Sequence, residues 1–311
     1  MKVLLHYAAG PELTARLSAF GLDIAICPES DDARLAELLR ETEVLWHVLR
    51  PADAALMHAA PRLRLIQKIG VGVNTIDLDA ARARRIAVCN LPGTNARAVA
   101  ELALLLMLAA LRRLPLFDRS TRAGQGWSLD PAVQDGLGEL GGRTVGLVGF
   151  GAVPQVLAPM LAALGCHVLY TARQWRAHAF AEFRDLETLL ADSDIVSLHV
   201  PLVAETANLI DAGRIARMRR GAILINTARG GLVDQAALTT ALQSGQLGAA
   251  GLDVFAAEPV GPADPILKLG NVVLSPHVGW LTTETFDRSF ALAAENVRRL
   301  AAGSPLLHQL V

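Results

Sequence analysis

Short apolar runs of strand length alternate with helical patterns from the first residues of the chain. KVLLH around Val3, DIAIC around Ile24, EVLWHV around Leu45, LRLIQKIG around Ile66 and IAVCN around Val88 are the strand candidates. Between them lie helical segments such as 31–40 and 52–60, with Asp31 and Pro51 as acceptable helix starts. This rhythm predicts a parallel α/β sheet, and about 95 residues suffice for a domain of that class. A long helix is expected over 98–113. Its segment LALLLMLAAL is apolar on all sides, yet far short of the roughly 20 residues a membrane span needs. One core covers one helix face, so burial between two bodies and a homodimer through this helix are expected. A Gly-rich connector ending at Arg143 follows. A second α/β series then runs through TVGLVGFG, HVLYTA, DIVSLHV, GAILINTA, GAAGLDVF and NVVLSPHVG. The last helix, over 283–302, places Phe286, Phe290, Ala294 and Val297 on one face and stops at Gly303, with Pro305 beyond. It is expected to pack back onto the first domain.

Composition sharpens this picture by exclusion. A chain of 311 residues exceeds what one core supports, and 52% hydrophobic against 19% charged residues excludes a disordered or fibrous chain. With 29 Lys+Arg against 30 Asp+Glu there is no net field to gather nucleic acid or an anionic membrane, so neither is an expected partner. Cys27, Cys89 and Cys166 are odd in number, lie in or beside apolar runs and lack CxxC or CxH companions. They read as small buried hydrophobes in a reducing, cytoplasmic compartment, with no metal site expected. The apolar run of MKVLLHY stops at His6, too short for an export signal.

The chemistry concentrates in the second half. Gly149 and Gly151 follow an apolar strand and precede a helix, the setting of a dinucleotide fingerprint: one glycine makes the tight turn and the other lets a pyrophosphate approach the helix start. The third glycine of that fingerprint is replaced by Pro154, which the first helical turn tolerates. An ordinary βα turn explains an isolated GxG equally well. About 20 residues on, where a carboxylate receives the ribose hydroxyls of NAD, stand Thr171, Ala172 and Arg173. A cation there suits a 2′-phosphate, with Arg176 able to add to it, so NADP is the preferred cofactor and NAD the alternative. Three further strand ends carry Arg229, Glu258 and His277: a planar fork for a carboxylate, a group to orient an imidazole, and a proton exchanger. Singly, an arginine after a strand is more often a surface residue and a lone histidine more often structural.

Seven segments in order, VGVNTID, NLPGTNARAVAEL, VGFG, HVPLVAET, NTARGG, LDVFAAEP and SPHVGW, resemble the D-2-hydroxyacid dehydrogenase family over residues 68–280. Glyoxylate or hydroxypyruvate reductases and phosphoglycerate dehydrogenases are the members it is most like. The resemblance implies two doubly wound parallel-sheet domains: a flavodoxin-like substrate domain, 1–97 with 283–311, and a Rossmann cofactor domain, 98–282, inserted in it. It implies hydride transfer between NAD(P)H and a small 2-keto acid. Arg229 would hold the substrate carboxylate and keto oxygen, His277 would be the acid/base, and Glu258 would pair with it. Gly149, Gly151, Ala152, Val153, Thr171, Arg173, His199, Val200, Pro201, Thr206, Thr227, Ala228, Asp253 and Gly279 would border the cofactor. Leu49, Arg50, Val71, Gly72, Val73 and Trp280 would border the substrate, with the 71–74 backbone presented to its carboxylate. Some relatives of this fold act as nucleotide-sensing corepressors, the competing reading. A binding module does not need an arginine clamp together with a paired acid/base.

Overall fold

The computed structural model describes residues 1–128 and 130–311. It divides into two compact units, Met1–Asn95 with Leu281–Val311, and Ala96–Trp280.

In the first unit, strands β1 (Lys2–His6), β2 (Asp23–Cys27), β3 (Val44–His47), β4 (Leu65–Lys68) and β5 (Ala87–Cys89) pair in parallel in the order β2-β1-β3-β4-β5. This is the flavodoxin-like order. β3 and β4 are buried throughout, as strands are when helices cover both sheet faces. Asp31, Asp53 and Asp77 start the helices Asp32–Leu39, Ala54–Ala59 and Leu78–Ala83, each accepting an N–H from inside the first turn. The second of these is shorter than expected, because Ala52 donates its N–H to Thr75 and bridges to Ile76, leaving Asp53 rather than Pro51 at the helix start. The last helix, Thr283–Ala302, is capped by the Thr282 side chain and ends at Gly303 with φ +67°. It joins this unit: Phe290 lies 5.3 Å from the Trp46 ring, and Asn296 Nδ2 donates to Gln67 Oε1 at 2.7 Å. Phe290, Ala294 and Val297 are buried, while Phe286 is half-buried against Tyr7.

In the second unit, β6 (Thr144–Val148), β7 (His167–Thr171), β8 (Glu182–Phe183), β9 (Ile195–Leu198), β10 (Ala222–Asn226), β11 (Leu247–Leu252) and β12 (Val272–Leu274) form a parallel sheet in the order β12-β11-β10-β9-β6-β7-β8. Counted from β6, the first six strands have the 3-2-1-4-5-6 order of a dinucleotide-binding fold, and β12 extends it. The long apolar helix spans Ala96–Leu111, ending two residues earlier than expected because Arg113 turns into left-handed backbone, φ +48°, ahead of a new helix, Leu114–Arg122. It packs on β10, β11 and the helix Ala152–Ala163 through Ala103, Leu106 and Met107, and leaves Leu105 53% and Leu108 39% exposed. The expected Gly-rich connector thus contains helix Leu114–Arg122 and the turn Pro131–Gln134. Neither Pro154, in the first turn, nor Pro159, further in, breaks Ala152–Ala163. Cys27 and Cys89 are buried and Cys166 only half so; all three are free thiols. Among the described residues no helix is long and apolar enough to cross a membrane.

Candidate active site

The turn after β6 is built around its two glycines. Gly149 has φ +98°, and a Cβ there would lie 2.7 Å from the His199 carbonyl oxygen, so no other residue fits without moving β9's end. Its N–H is fixed to Thr171 O at 2.9 Å, tying the turn to β7. Gly151 precedes the helix Ala152–Ala163, and a Cβ there would meet nothing within 4 Å. The helices at Asp32, Ala54, Leu78, Leu186, Ala212 and Gln235 all have aspartate caps, whereas no side chain caps this one. Open space over an uncapped helix start fits a phosphate, whose charge the exposed N–H groups and the helix dipole favour. Ala152 and Val153 form the first turn.

At the tip of β7, Thr171 and Ala172 are half-buried and Arg173 and Arg176 exposed. Among the described residues neither guanidinium has a hydrogen bond or ion pair. The backbone of the loop is pinned instead, since Arg176 N–H donates to the Tyr170 hydroxyl at 2.9 Å. After β9, His199 bonds Ser197 Oγ at 2.9 Å, and burial lowers its pKa to about 3, so the ring is neutral at physiological pH. Val200 leans on the Gly149 turn, while the Thr206 hydroxyl accepts Val203 N–H and donates to Pro201 O at 2.6 Å, bracing that loop.

Three strand ends assemble the polar cluster. After β10, Asn226 bonds the Ala228 N–H and the Arg229 carbonyl, folding the chain back so that the Arg229 side chain emerges beside it. Thr227 Oγ1 is buried without a hydrogen-bond partner, a donor and acceptor available to a bound group. Arg229 donates one N–H to Ala228 O at 2.6 Å, leaving most of its fork unused. Burial lowers its pKa and the nearby Glu258 charge opposes this, so the two belong to one electrostatic neighbourhood. After β11, the Asp253 carboxylate takes Ser275 Oγ–H at 2.6 Å, Val278 N–H at 2.9 Å and Gly279 N–H at 2.8 Å. It shapes the 275–279 loop. Gly279 is confined as well, because a Cβ there would lie 2.9 Å from Asp253 Oδ2.

That loop presents His277 on left-handed backbone, φ +55°. Its N–H bonds Asp253 O at 2.7 Å and its carbonyl accepts Trp280 Nε1–H at 3.0 Å, so the strained conformation is held from both sides. His277 Nδ1 lies 2.7 Å from Glu258 Oε2. Glu258 in turn takes the Phe255 N–H at 2.9 Å. Burial pushes the Glu258 carboxyl up, but its bonds with His277 and Phe255 and the charges of His277 and Arg229 outweigh this and hold it below its ordinary value. Among the described residues His277 Nε2 has no partner. The arrangement is an imidazole with one nitrogen fixed by a carboxylate and the other open, next to a half-used guanidinium.

The family model of the D-isomer specific 2-hydroxyacid dehydrogenase NAD binding domain matches residues 104–279, which include all of these strand ends from β6 to β12. The chain belongs to this family. It is 39% identical over 306 residues to D-3-phosphoglycerate dehydrogenase of Mycobacterium leprae, covering 97% of this chain and 54% of that protein. It is 40% identical over 270 residues to glyoxylate reductase of Korarchaeum cryptofilum, covering 85% of this chain and 81% of that one. The chain spans about half the length of the phosphoglycerate dehydrogenases it matches. The crystal structure of the TT0316 protein from Thermus thermophilus superposes with a TM-score of 0.90 at 37% identity, over all of both chains.

The remaining named residues of this family member lie in the first unit. Leu49 and Val71 are exposed, and Gly72 and Val73 half-buried, in loops after β3 and β4. Val71 O accepts the Asn90 side chain at 2.9 Å. Arg50 is already engaged, bonding Glu29 O at 2.8 Å and Asp32 Oδ1 at 2.5 Å. Three positions with no role assigned from the sequence also shape the polar cluster. A Cβ on Gly230 would overlap the Phe255 carbonyl, so the second unit's Arg229 and Glu258 segments touch only because residue 230 is glycine. Asn226 sets the Arg229 turn, and Gln235 takes the Ala256 N–H at 2.9 Å while donating to Asp264. The double glycine of NTARGG was the available signal for the first; the other two become meaningful only with the loops in place.

Proposed function

We propose that the chain is an NAD(P)-dependent D-2-hydroxyacid dehydrogenase reducing a small 2-keto acid, of the size of glyoxylate or hydroxypyruvate. The observation that carries this reading is the His277–Glu258 pair beside the half-buried Arg229, on the sheet that also bears the Gly149–Gly151 turn. A nicotinamide dinucleotide held by these residues would supply the hydride that the carbonyl carbon accepts. His277, with Nδ1 committed to Glu258, gives its Nε2 proton to the oxygen that becomes the hydroxyl. Glu258 keeps the imidazole oriented through its 2.7 Å contact with Nδ1. Arg229 holds the carboxylate and offsets negative charge developing on the keto oxygen. In the reverse direction neutral His277 removes the hydroxyl proton.

Within this reading the phosphates are assigned to Gly151, Ala152 and Val153; the ribose and adenosine side to Thr171, Arg173, His199, Val200, Pro201 and Thr206; and the nicotinamide side to Thr227, Ala228, Asp253 and Gly279. NADP is the favoured cofactor, supported by Ala172 where an acid would repel a 2′-phosphate and by the unengaged Arg173 beside it. The substrate is assigned to Leu49, Arg50, the 71–73 backbone and Trp280. The exposed Leu105 and Leu108 support a homodimer through Ala96–Leu111, and the three free thiols support a cytoplasmic location. The decisive assay incubates purified protein with NADPH or NADH and a panel of glyoxylate, hydroxypyruvate, pyruvate and longer 2-keto acids. Consumption of reduced cofactor with at least one acid is expected, and none with any acid would overturn the proposal.

A further inference from the structure

At the amino ends of β6, β10, β11 and β12 the second unit has a cavity of about 230 Å³. This is the opposite edge of the sheet from His277 and Arg229. It is smaller than the roughly 300 to 1,000 Å³ of pockets for drug-sized ligands, so its occupant is small. Two arginines line it, Arg113 and Arg143, and no aspartate or glutamate does among the described residues. Neither guanidinium pairs with a carboxylate there. Arg143 is held from behind, its Nε donating to Glu139 O at 2.6 Å, and Arg113 is aimed by the left-handed turn that ends the long helix.

The chain also keeps space for both heads. A Cβ on Gly136 would lie 2.7 Å from Arg113 Nη2, and one on Gly138 would clash with Arg143 Nη2. Both glycines have ordinary backbone, being absent from the positive-φ residues. A side chain at either position would push a guanidinium head out of its present place. The floor is equally stripped, since Gly248 lies against the Gly221 carbonyl with no room for a Cβ. Two like charges around one small space repel unless an anion joins them, and the planar fork of arginine matches phosphate or carboxylate oxygens.

We propose that this cavity binds a small dianion, with phosphate or dicarboxylate oxygens held between the forks of Arg113 and Arg143. The site is separate from the dinucleotide turn and does not depend on the assigned reaction. Isothermal titration of the full chain with inorganic phosphate, and separately with malonate, at fixed ionic strength tests it. Because phosphate also suits the turn at Gly151, each titration is repeated in Gly151→Asp, whose carboxylate repels anions there. Saturable binding of at least one anion is expected in the wild type and retained in Gly151→Asp. The anion that binds more tightly identifies the ligand class. Arg113→Gln and Arg143→Gln should each weaken binding by roughly 10- to 150-fold, the equivalent of one charge-assisted hydrogen bond. Gly136→Ala keeps both charges and displaces only the Arg113 head, so weakening in that variant separates site geometry from loss of fold. Absence of saturable binding, binding lost only in Gly151→Asp, or affinity unchanged in Arg113→Gln and Gly136→Ala would each overturn the proposal.

Discussion

The two sheets share a parallel, doubly wound plan, yet their carboxyl edges are built in opposite ways. In the first unit the register lines up Cys27, His6, His47 and Lys68 on neighbouring strands, and all four are buried. His47 donates to Arg50 O at 2.7 Å while its Nδ1 finds no partner, and burial with the Lys68 charge lowers its pKa to about 3. Polar groups on that edge are turned into the protein. In the second unit the strands run out into Gly149, Ala172, His199, Thr227 and Asp253, and the loops beyond leave bonds unmade: an uncapped helix start, an orphaned Thr227 hydroxyl, an open His277 Nε2. The contrast teaches that topology supplies a place for chemistry at a sheet edge. Which edge has capacity for a ligand depends on where its unused donors and acceptors sit: His6 Nε2 and His47 Nδ1 are unpartnered but sealed within the first unit, whereas those of the second lie on its loops.

The largest test of that contrast is His277→Ala. Loss of the open nitrogen should lower kcat by roughly 10² to 10⁴ while the dissociation constant of the dinucleotide changes little, measured by steady-state rates beside cofactor titration. Turnover near wild type would place the reactive group elsewhere. Next comes Arg173→Ala, which removes an unengaged cation at the second unit's edge. It should reduce kcat/KM for NADPH by about 10- to 150-fold and leave NADH almost unaffected. A wild-type preference for NADH, or no loss in the variant, would defeat the assignment of a 2′-phosphate there.

The smallest effect concerns two histidines, one buried and one half-buried. His47 and His199 have folded pKa values of about 3 against an ordinary 6.5, so between those limits the unfolded chain binds more protons than the folded one. Stability is therefore full above pH 6.5 and falls as the pH drops below it, by on the order of 1 kcal/mol per pH unit for each ring. Melting temperature followed from pH 7.5 to 5 should fall more steeply in wild type than in His47→Gln, whose amide can still reach Arg50 O. Parallel curves would show that the edge of the first sheet carries no such acid sensitivity.

Much of this was legible in the sequence because it depends on local chemistry. Apolar runs of strand length identify buried parallel strands, and Asp31 before an apolar helix predicts its cap. Arg229, Glu258 and His277 stand out because each follows a strand end with a side chain that chemistry can use. Two helix boundaries depart from the sequence pattern for physical reasons. Ala52 is drawn into a bridge with Ile76, a partner 24 positions away that spacing does not reveal. Arg113 adopts a left-handed conformation that nothing in its residue type requires.

What the sequence determined by itself is therefore the inventory: two α/β series, a glycine turn before a helix, no acid at position 172, and an arginine, a glutamate and a histidine on three separate strand ends. What only the tertiary structure decided is which of their bonds are spent. It joins His277 to Glu258 across 19 positions and closes the Asp253 carboxylate on its own loop. It engages Arg50 with Glu29 and Asp32 while leaving Arg173 unengaged, and it requires Gly230 so that two loops touch. Hydrogen bonds and excluded volume act between groups close in space, and the path of the chain alone does not say which groups those will be.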